Sequence, residues 1–356
     1  MFLRNKLIST ASGTVLIFSM LLAACQPQIV EVVKEVPVDK IKIVEVEAKP
    51  DPTAVPEKEL VVIQGVDPET LDMQMITAQV VVNIGHHITE RLLDYDENIK
   101  LKPLLAISWE HIEPKIWQYK LREGVTFSNG EPFNAEQVKF SFDRVMAEDS
   151  TSMRKGGATR YVESVEVVDE YTVNFHTPEI VPLFDQWVTM EFPIVPKGYI
   201  TENGDEAFAR HPIGTGPFIF EEWVKDDHIT MVRNPDYWGT PAKIDRLTFR
   251  SVPDIAARAA SFLAGEADVV TDIQPIMVPV VRAREGLSLL AEEGMRIVFV
   301  KPNTRIDSPM TDVRVRQALN YGIDKEAIVA SVMGGFATVS PGQVVSSQYW
   351  GFNPDL

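Results

Sequence analysis

The chain has 356 residues, of which 45% are hydrophobic and 24% are charged, as in an ordinary globular protein. This length leaves room for two domains. The formal net charge of −17 argues against a nucleic-acid partner, because binding to phosphates requires clustered lysine and arginine.

The first 25 residues have the pattern of an export signal. Arg4 and Lys6 precede an apolar run, 7–22, which is diluted by serine, threonine and glycine and leads into Leu-Ala-Ala-Cys. The run is short and rich in hydroxyl groups for a membrane helix, so it predicts a secretory signal peptide over 1–24. Cys25, the single cysteine of the chain, resembles the lipidated residue of a bacterial lipoprotein box, which implies an acyl anchor.

Residues 25–58 consist mainly of valine, glutamate, lysine and proline. They carry few large apolar side chains that could pack, which predicts a semi-extended tether. Apolar and charged residues partly alternate, so strand addition to a partner protein remains an alternative.

The folded part is predicted to begin at Glu59 with a strand, Leu60–Ile63. A loop at Asp67–Asp72 and a helix at Thr77–Leu93 follow, the helix with apolar residues spaced by four. Its two histidines are adjacent and would point about 100° apart on a helix, so they predict no metal site.

The next segment is predicted to contain two hairpins with a helix between them. The first hairpin is Leu104–Leu121, and the second joins Tyr161–Val168 to Tyr171–Phe175. The helix begins after Asn134, and residues 148–160 read as a loop.

Further along the chain, a glycine turn leads into three predicted strands: Phe218–Val224, Ile229–Arg233 and Ile244–Val252. Asp254 is the predicted cap of the following helix, whose inward residues would be Ile255, Ala259, Phe262 and Leu263, and Gly265 ends it. Strands at Asp268–Thr271 and Ile297–Val300 and two helices capped by Asp312 and Asp324 complete the pattern.

The sequence offers little catalytic machinery. It lacks the nucleophile elbow, the zinc-protease motif and the phosphate-binding loop. Ser152 and Lys155 match the Ser-x-x-Lys pattern of penicillin-binding enzymes, but no Lys-Thr-Gly companion is present. We therefore expect no enzyme, with acyl transfer at Ser152 as the alternative, which labelling by a β-lactam would reveal.

Three stretches of the sequence resemble one protein family. They are LREGVTFSNGEPFNAEQVKFS at 121–141, GTGPF followed by RNPDYWG within 214–239, and VRQALNYGID at 315–324. Their wording resembles the extracytoplasmic solute-binding proteins of ABC transporters, family 5, which take dipeptides, oligopeptides or nickel. The match runs from Glu59 to the end of the chain.

The resemblance implies a mixed α/β, two-lobed fold of the type II periplasmic-binding-protein kind, with an extra subdomain in the first lobe. The first lobe would span 59–275, with its core at 59–92 and 205–275 and the inserted subdomain at about 93–204. Residues 276–356 would begin the second lobe, which is incomplete when measured against the family.

The resemblance also implies where the ligand lies. The Gln64–Asp72 loop and the Met153–Tyr161 segment would reach the cleft, and a hinge would join the lobes after the strand at 268–271. The predicted ligand contacts are Gln64, Gly65, Val66, Thr70, Thr77, Met153, Arg154, Arg160 and Tyr161. The predicted hinge residues are Asp272, Ile273, Gln274 and Pro275.

The expected function is that of a monomeric binding lipoprotein on the outer face of the cytoplasmic membrane. It would close its lobes on a peptide or similar small solute and deliver it to an ABC permease, without cofactor, metal or nucleic acid. The same signatures leave nickel chelates, sugars and other solutes open as ligands. A surface lipoprotein that serves as an interaction scaffold, without transport, is the alternative from another class.

Overall fold

The computed structural model describes residues 29–33, 42–46, 58–98, 100–291, 294, 296–305, 307–340, 342–347 and 351–355. The signal peptide and Cys25 lie outside these residues, as does most of the predicted tether. The chain divides into two units, residues 1–56 and residues 57–356.

The strands of the described residues are β1 (Ile29–Val33), β2 (Lys42–Val46), β3 (Glu59–Gln64), β4 (Leu93–Tyr95), β5 (Leu101–Pro103), β6 (Ala106–Glu113), β7 (Ile116–Leu121), β8 (Ser164–Asp169), β9 (Thr172–His176), β10 (Phe218–Val224), β11 (His228–Arg233), β12 (Arg246–Ser251) and β13 (Val269–Val270). Their α-helices are α1 (Gln79–Gly85), α2 (Ala135–Met146), α3 (Lys155–Tyr161), α4 (Phe184–Glu191), α5 (Lys197–Asn203), α6 (Asp205–Arg210), α7 (Ile255–Ala264), α8 (Val278–Arg282), α9 (Val313–Gly322) and α10 (Lys325–Ser331).

In the first unit, β1 and β2 form an antiparallel pair. Ile29 lies opposite Val46, and Val33 lies opposite Lys42. The sequence predicted an extended tether without this pairing.

The second unit contains a five-stranded sheet in the order β10-β11-β12-β3-β13. Strands β10, β11 and β12, which were predicted as strands, are antiparallel neighbours, whereas β12, β3 and β13 run parallel. Helix α7 makes the crossover from β12 to β13, as a connection between parallel strands requires. The apolar cluster of this sheet consists of Val62, Leu71, Ile84, Ile88, Phe218, Ile229, Met231, Leu247 and Phe249.

A four-stranded antiparallel sheet, in the order β6-β7-β9-β8, lies between the first and last parts of the first sheet in sequence. Helix α2 packs against β8 and β9. Its core is largely aromatic: Tyr119, Phe142, Phe175, Phe184 and Phe192 are each at most 1% exposed. This sheet therefore has its own core, separate from that of the five-stranded sheet. The domain boundaries drawn from the sequence stay predictions.

Helix α1 is shorter than the predicted Thr77–Leu93. The carbonyl oxygens of His87 and Ile88 accept hydrogen bonds from the amides of Phe218 and Gly216, at 3.0 and 2.8 Å. These bonds to the glycine turn replace the bonds that a longer helix would make. Leu93 then enters β4, so tertiary contacts override the helical spacing.

Two further predictions differ from the structure. Residues 155–161, placed partly in a loop, form helix α3, and α4, α5 and α6 were not predicted. The segment Ile297–Val300 forms no strand, and three of its side chains are 57–86% exposed. A strand needs a neighbour to pair with, and none of the described residues pairs with this segment.

The predicted helix caps are confirmed. Asp254 accepts a hydrogen bond from the Ala257 amide at 2.7 Å, and Gly265 ends α7 at a φ of 79°. Asp312 and Asp324 cap α9 and α10 in the same way. None of the helices within the described ranges is long and apolar enough to cross a membrane.

Candidate functional site

The site is built at the carboxyl ends of three parallel strands. Strands β12, β3 and β13 end side by side at Ser251, Gln64 and Val270, with Ser251 opposite Gln64 in the register. In open α/β sheets, ligands bind beyond this edge, because the loops that leave the strands diverge there. The predicted ligand loop and the predicted hinge both begin at this edge.

Gln64 is the last residue of β3 and is only 3% exposed. Its Nε2 and Oε1 atoms are both buried, and neither finds a hydrogen-bond partner in the described part of the chain. Buried amides almost always have partners, so such an atom indicates a water or a ligand that completes the bonds. A buried amide without a hydrogen-bond partner is expected of a residue that binds a ligand.

The loop after Gln64 is held in place by side chains of the same sheet. The indole Nε1 of Trp223 donates to Asp67 at 3.2 Å, and the hydroxyl of Ser251 donates to the same carboxylate at 3.3 Å. The hydroxyl of Thr70 accepts a bond from the Asp72 amide at 3.0 Å, so it supports the loop itself. Val66, by contrast, is 61% exposed and free to contact a ligand.

The second predicted segment is joined to the loop that follows Asp72. Buried Arg154 donates from Nε to the Met73 carbonyl at 2.8 Å, and the Met153 amide donates to the Met75 carbonyl at 3.0 Å. The Met153 side chain is 66% exposed, and Thr77 is exposed as well. The structure thus brings 153–154 and 73–77 together, although Arg154 acts there as a structural donor.

Arg160 and Tyr161 make packing contacts with aromatic rings. The Tyr161 ring packs on Trp187, with 5.0 Å between ring centroids, and Arg160 lies over the Tyr161 ring at 5.5 Å. Tyr161 belongs to the aromatic core of the four-stranded sheet. These contacts give both residues a packing role; their assignment to the cleft stays a prediction.

The Ser-x-x-Lys match has no catalytic geometry. The Ser152 hydroxyl donates to the Gln74 carbonyl at 2.5 Å, while the Lys155 ammonium donates to the Glu148 carbonyl at 2.6 Å. A nucleophile needs a base within hydrogen-bond reach, and here each group is bonded to the backbone instead. The arrangement favours a structural role for Ser152.

A partly buried ion-pair network lies behind the loop and was not visible in the sequence. Arg144 donates to Asp72 at 2.6 Å, to Gln74 at 2.8 Å and to Asp205 at 2.7 Å. Although burial alone would lower the pKa of Arg144, its bond to Asp72 raises it. A cavity of about 330 Å³ beside this network is lined by Met75, Phe140, Arg144, Ala147, Asp149, Ser150, Thr151, Ile200, Thr201 and Asp205.

The glycine turn and the RNPDYWG loop meet at one buried carboxylate. Glu90, 5% exposed, accepts bonds from the Thr215 hydroxyl at 2.8 Å, the Tyr237 hydroxyl at 2.7 Å and the Trp238 indole at 2.8 Å. Burial raises the pKa of Glu90. A Cβ on Gly214 would lie 1.9 Å from the Ile88 carbonyl oxygen, so only glycine fits there. The GTGPF and RNPDYWG stretches are therefore held together by internal contacts through Glu90.

The two adjacent histidines are partly buried. Burial lowers the pKa of His86 to about 4 and also lowers that of His87, whose ring packs on Phe218 at 5.8 Å. No group of histidine, cysteine, aspartate and glutamate in the described ranges could hold a metal ion.

The predicted hinge leaves the sheet directly after β13. The Thr271 amide donates to the Ile63 carbonyl at 3.0 Å, and Asp272 then adopts a left-handed φ of 56°. Ile273 is half-buried, and exposed Gln274 precedes the short 3-10 turn Pro275–Met277. The role of these four positions as a hinge stays a prediction.

Known proteins resemble this chain over most of its length. The dipeptide-binding protein of Escherichia coli is 30% identical over 325 residues, which cover 84% of this chain and 60% of that protein. The structure of the periplasmic binding protein DppA of Helicobacter pylori with the peptide STSA is 26% identical, with a TM-score of 0.77 over 84% of this chain and 63% of that one.

A third relative binds another ligand. The structure of NikZ of Campylobacter jejuni with Ni(L-His) is 25% identical, with a TM-score of 0.70 over 80% of this chain and 57% of that one. The chain spans about three fifths of the length of these relatives. The profile of the bacterial extracellular solute-binding proteins, family 5 (middle region), matches residues 100–356. The mixed α/β architecture agrees with the type II periplasmic-binding-protein fold of these structures, and the chain belongs to the bacterial extracellular solute-binding proteins of family 5.

Proposed function

We propose that this chain captures a peptide or a similar small solute outside the cytoplasm and delivers it to the permease of an ABC importer. The observation that carries the proposal is the unpartnered, buried Gln64 amide at the carboxyl edge of β12, β3 and β13. Family membership and the peptide held by the Helicobacter pylori relative support the same assignment.

Binding proceeds by closure about a hinge and changes no covalent bond. The solute contacts the 64–72 loop and the exposed Met153 side chain, and residues 272–275 let the second lobe close over it. The solute shifts the balance between open and closed forms only by its preference for the closed form. An extended peptide suits this edge, because main-chain groups supply the bonds and side chains need only room.

Attachment to the outer face of the cytoplasmic membrane is part of the proposal. The 1–24 signal and Cys25 support export followed by lipidation, after which the protein works as a tethered monomer. Several acyl chains, each methylene contributing about 0.8 kcal/mol, give a stable anchor. Mass spectrometry of the protein from membranes tests this: diacylglyceryl-modified Cys25 is expected, and an unmodified thiol contradicts it.

The ligand is tested with the full chain, purified in detergent and titrated calorimetrically with dipeptides, tetrapeptides, nickel–histidine and simple sugars. We expect micromolar binding of peptides, which are recovered intact by mass spectrometry. Gln64→Leu, similar in volume but without the amide, should weaken that binding, and Gln186→Leu, at an exposed glutamine, is the matched control. Free amino acids released from the peptides would contradict binding without chemistry, and binding of nickel–histidine alone would contradict the ligand class.

A further inference from the structure

Arg258 is a buried cation that has no carboxylate partner among the residues described by the structure. It lies in the first turn of α7 and is 5% exposed. Its Nη1 atom donates to the carbonyl oxygens of Val252 at 2.7 Å and Pro253 at 3.2 Å. Within the described chain it forms no ion pair with a carboxylate, in contrast to the buried Arg144, which has two.

An ionised group in a protein interior is normally paired, because removing it from water without a partner is costly. The guanidinium of Arg258 is only partly satisfied by its two carbonyl acceptors. Its Nη2 and Nε atoms have no acceptor among the described residues, yet neither is enclosed as completely as the Gln64 amide. The open side of the planar fork can therefore still receive a ligand.

Arg258 lies against the end of strand β3. A Cβ on Gly65 would lie 2.7 Å from Nη1 and 3.3 Å from Cζ of Arg258, so the guanidinium lies directly against a residue without a side chain. Gln64, one residue earlier, ends β3 with its amide unpartnered. A cation that has no carboxylate partner among the described residues thus lies against Gly65, next to the unpartnered Gln64 amide, at the carboxyl edge where solutes bind in such sheets.

We propose that Arg258 binds a carboxylate group of the solute, which makes the ligand a carboxylate-bearing molecule such as a peptide with a free C-terminus. This inference rests on the proposed function, since it specifies one group of that ligand. The planar fork of arginine matches a carboxylate by two parallel hydrogen bonds. The chain has a net charge of −17, and Arg258 supplies only one guanidinium group. A carboxylate, with one negative charge, is therefore a better ligand for it than a phosphate, which carries more charge.

The first test uses acetate, which needs no knowledge of the solute. Thermal unfolding of the full chain is followed in sodium acetate and in sodium chloride at equal ionic strength. Acetate is expected to raise the midpoint with half-saturation below about 10 mM, and chloride is not. Arg258→Met should abolish the acetate effect, and Arg210→Met, at an exposed arginine over Trp223, should keep it. The same acetate response in Arg258→Met, or saturation only at molar acetate, would overturn the proposal.

Arg258→Lys is a second variant, used in case Arg258→Met does not fold. It keeps the charge and loses the fork, so acetate should bind at least about tenfold more weakly than to the wild type. An unchanged acetate response in Arg258→Lys overturns the proposal.

The second test compares the dipeptide Ala-Ala with its C-terminal amide by calorimetry. The wild type should prefer the free acid by at least about tenfold, and Arg258→Lys should lose most of this preference. If acetate binds through Arg258 and neither dipeptide binds, the peptide assignment fails and the carboxylate position stands. If both dipeptides bind equally well, the carboxylate position fails and the peptide assignment stands.

Discussion

Replacement of Glu90 tests how strongly the sheet depends on one buried carboxylate. Glu90→Ala removes the acceptor of three short hydrogen bonds, from Thr215, Tyr237 and Trp238. Glu90→Gln keeps the volume and one acceptor oxygen. Since Oε2 accepts two of these bonds and Oε1 accepts one, the amide can keep the bonds from Thr215 and Trp238 and lose the bond from Tyr237.

The expected costs follow from these bonds. A hydrogen bond to a charged group contributes about 1.5–3 kcal/mol, and such contributions are not additive. We expect Glu90→Gln to lower the free energy of unfolding by about 1.5 kcal/mol and Glu90→Ala to lower it by about 4 kcal/mol. Burial raises the pKa of Glu90 above its value in the unfolded chain. The contribution of Glu90 to the free energy of unfolding is therefore greatest below the unfolded pKa and declines as pH rises through the folded pKa. Glu90→Gln should flatten that decline.

The assay is urea unfolding followed by tryptophan fluorescence, because the Trp238 indole contacts Glu90 directly. Glu166→Ala is the matched control: its carboxylate also accepts two side-chain bonds, from Asn174 and His176, but at the surface. No resolvable change is expected for the control. Equal unfolding midpoints of Glu90→Ala and the wild type would refute the reasoning.

Three further substitutions have expected outcomes in the same unfolding assay. Gly85→Ala places a Cβ 2.2 Å from the Met73 sulfur. The overpacking should cost about 1–3 kcal/mol of stability, which should exceed the gain of about 1 kcal/mol from the higher helix propensity of alanine. The loss of stability should be smaller when Met73→Ala is introduced as well. Asp254→Ala should cost about 1 kcal/mol through loss of the α7 cap, whereas Asp254→Asn should cost almost nothing, and equal losses would contradict the cap. Desolvation lowers the pKa of His228, but hydrogen bonds to its two carboxylate neighbours outweigh this and raise the pKa overall. His228 therefore stabilises the folded state fully below its unfolded pKa, and this stabilisation is lost as pH rises through the folded pKa. His228→Gln should remove that component, and an unaltered pH profile would contradict it.

The sequence predicted the elements whose signals are local. The three strands after the glycine turn, both hairpins and the caps at Asp254, Asp312 and Asp324 depend on residues a few positions apart, and the structure confirms them. The early end of α1 was missed, because the bonds that end it come from Gly216 and Phe218, more than a hundred positions away in sequence.

The candidate site was predicted only in part. Gln64 and the 153–154 segment were named from the family resemblance, whereas the environment of Arg258 was missed. A signal for it was present: Arg258 lies between the predicted inward positions of α7. In the structure Arg258 and Ala259 are buried, and Ile255, predicted inward, is 43% exposed. A charged residue on the apolar side of a helix was the clue, because such residues are rarely buried without a purpose.

The parallel pairing of β3 with β12 constrains the order in which the protein can assemble. Lys58 and Asp245, which are hydrogen-bonded at the start of this pairing, are 187 positions apart. As the chain is synthesised, the first strand of the sheet appears long before any of its neighbours. The hairpins β6–β7 and β8–β9 close short loops and can form early, whereas the five-stranded sheet must wait for a long-range contact. Until residue 245 has been synthesised, β3 is an unpaired apolar strand, and the growing chain is most prone to aggregation during that interval.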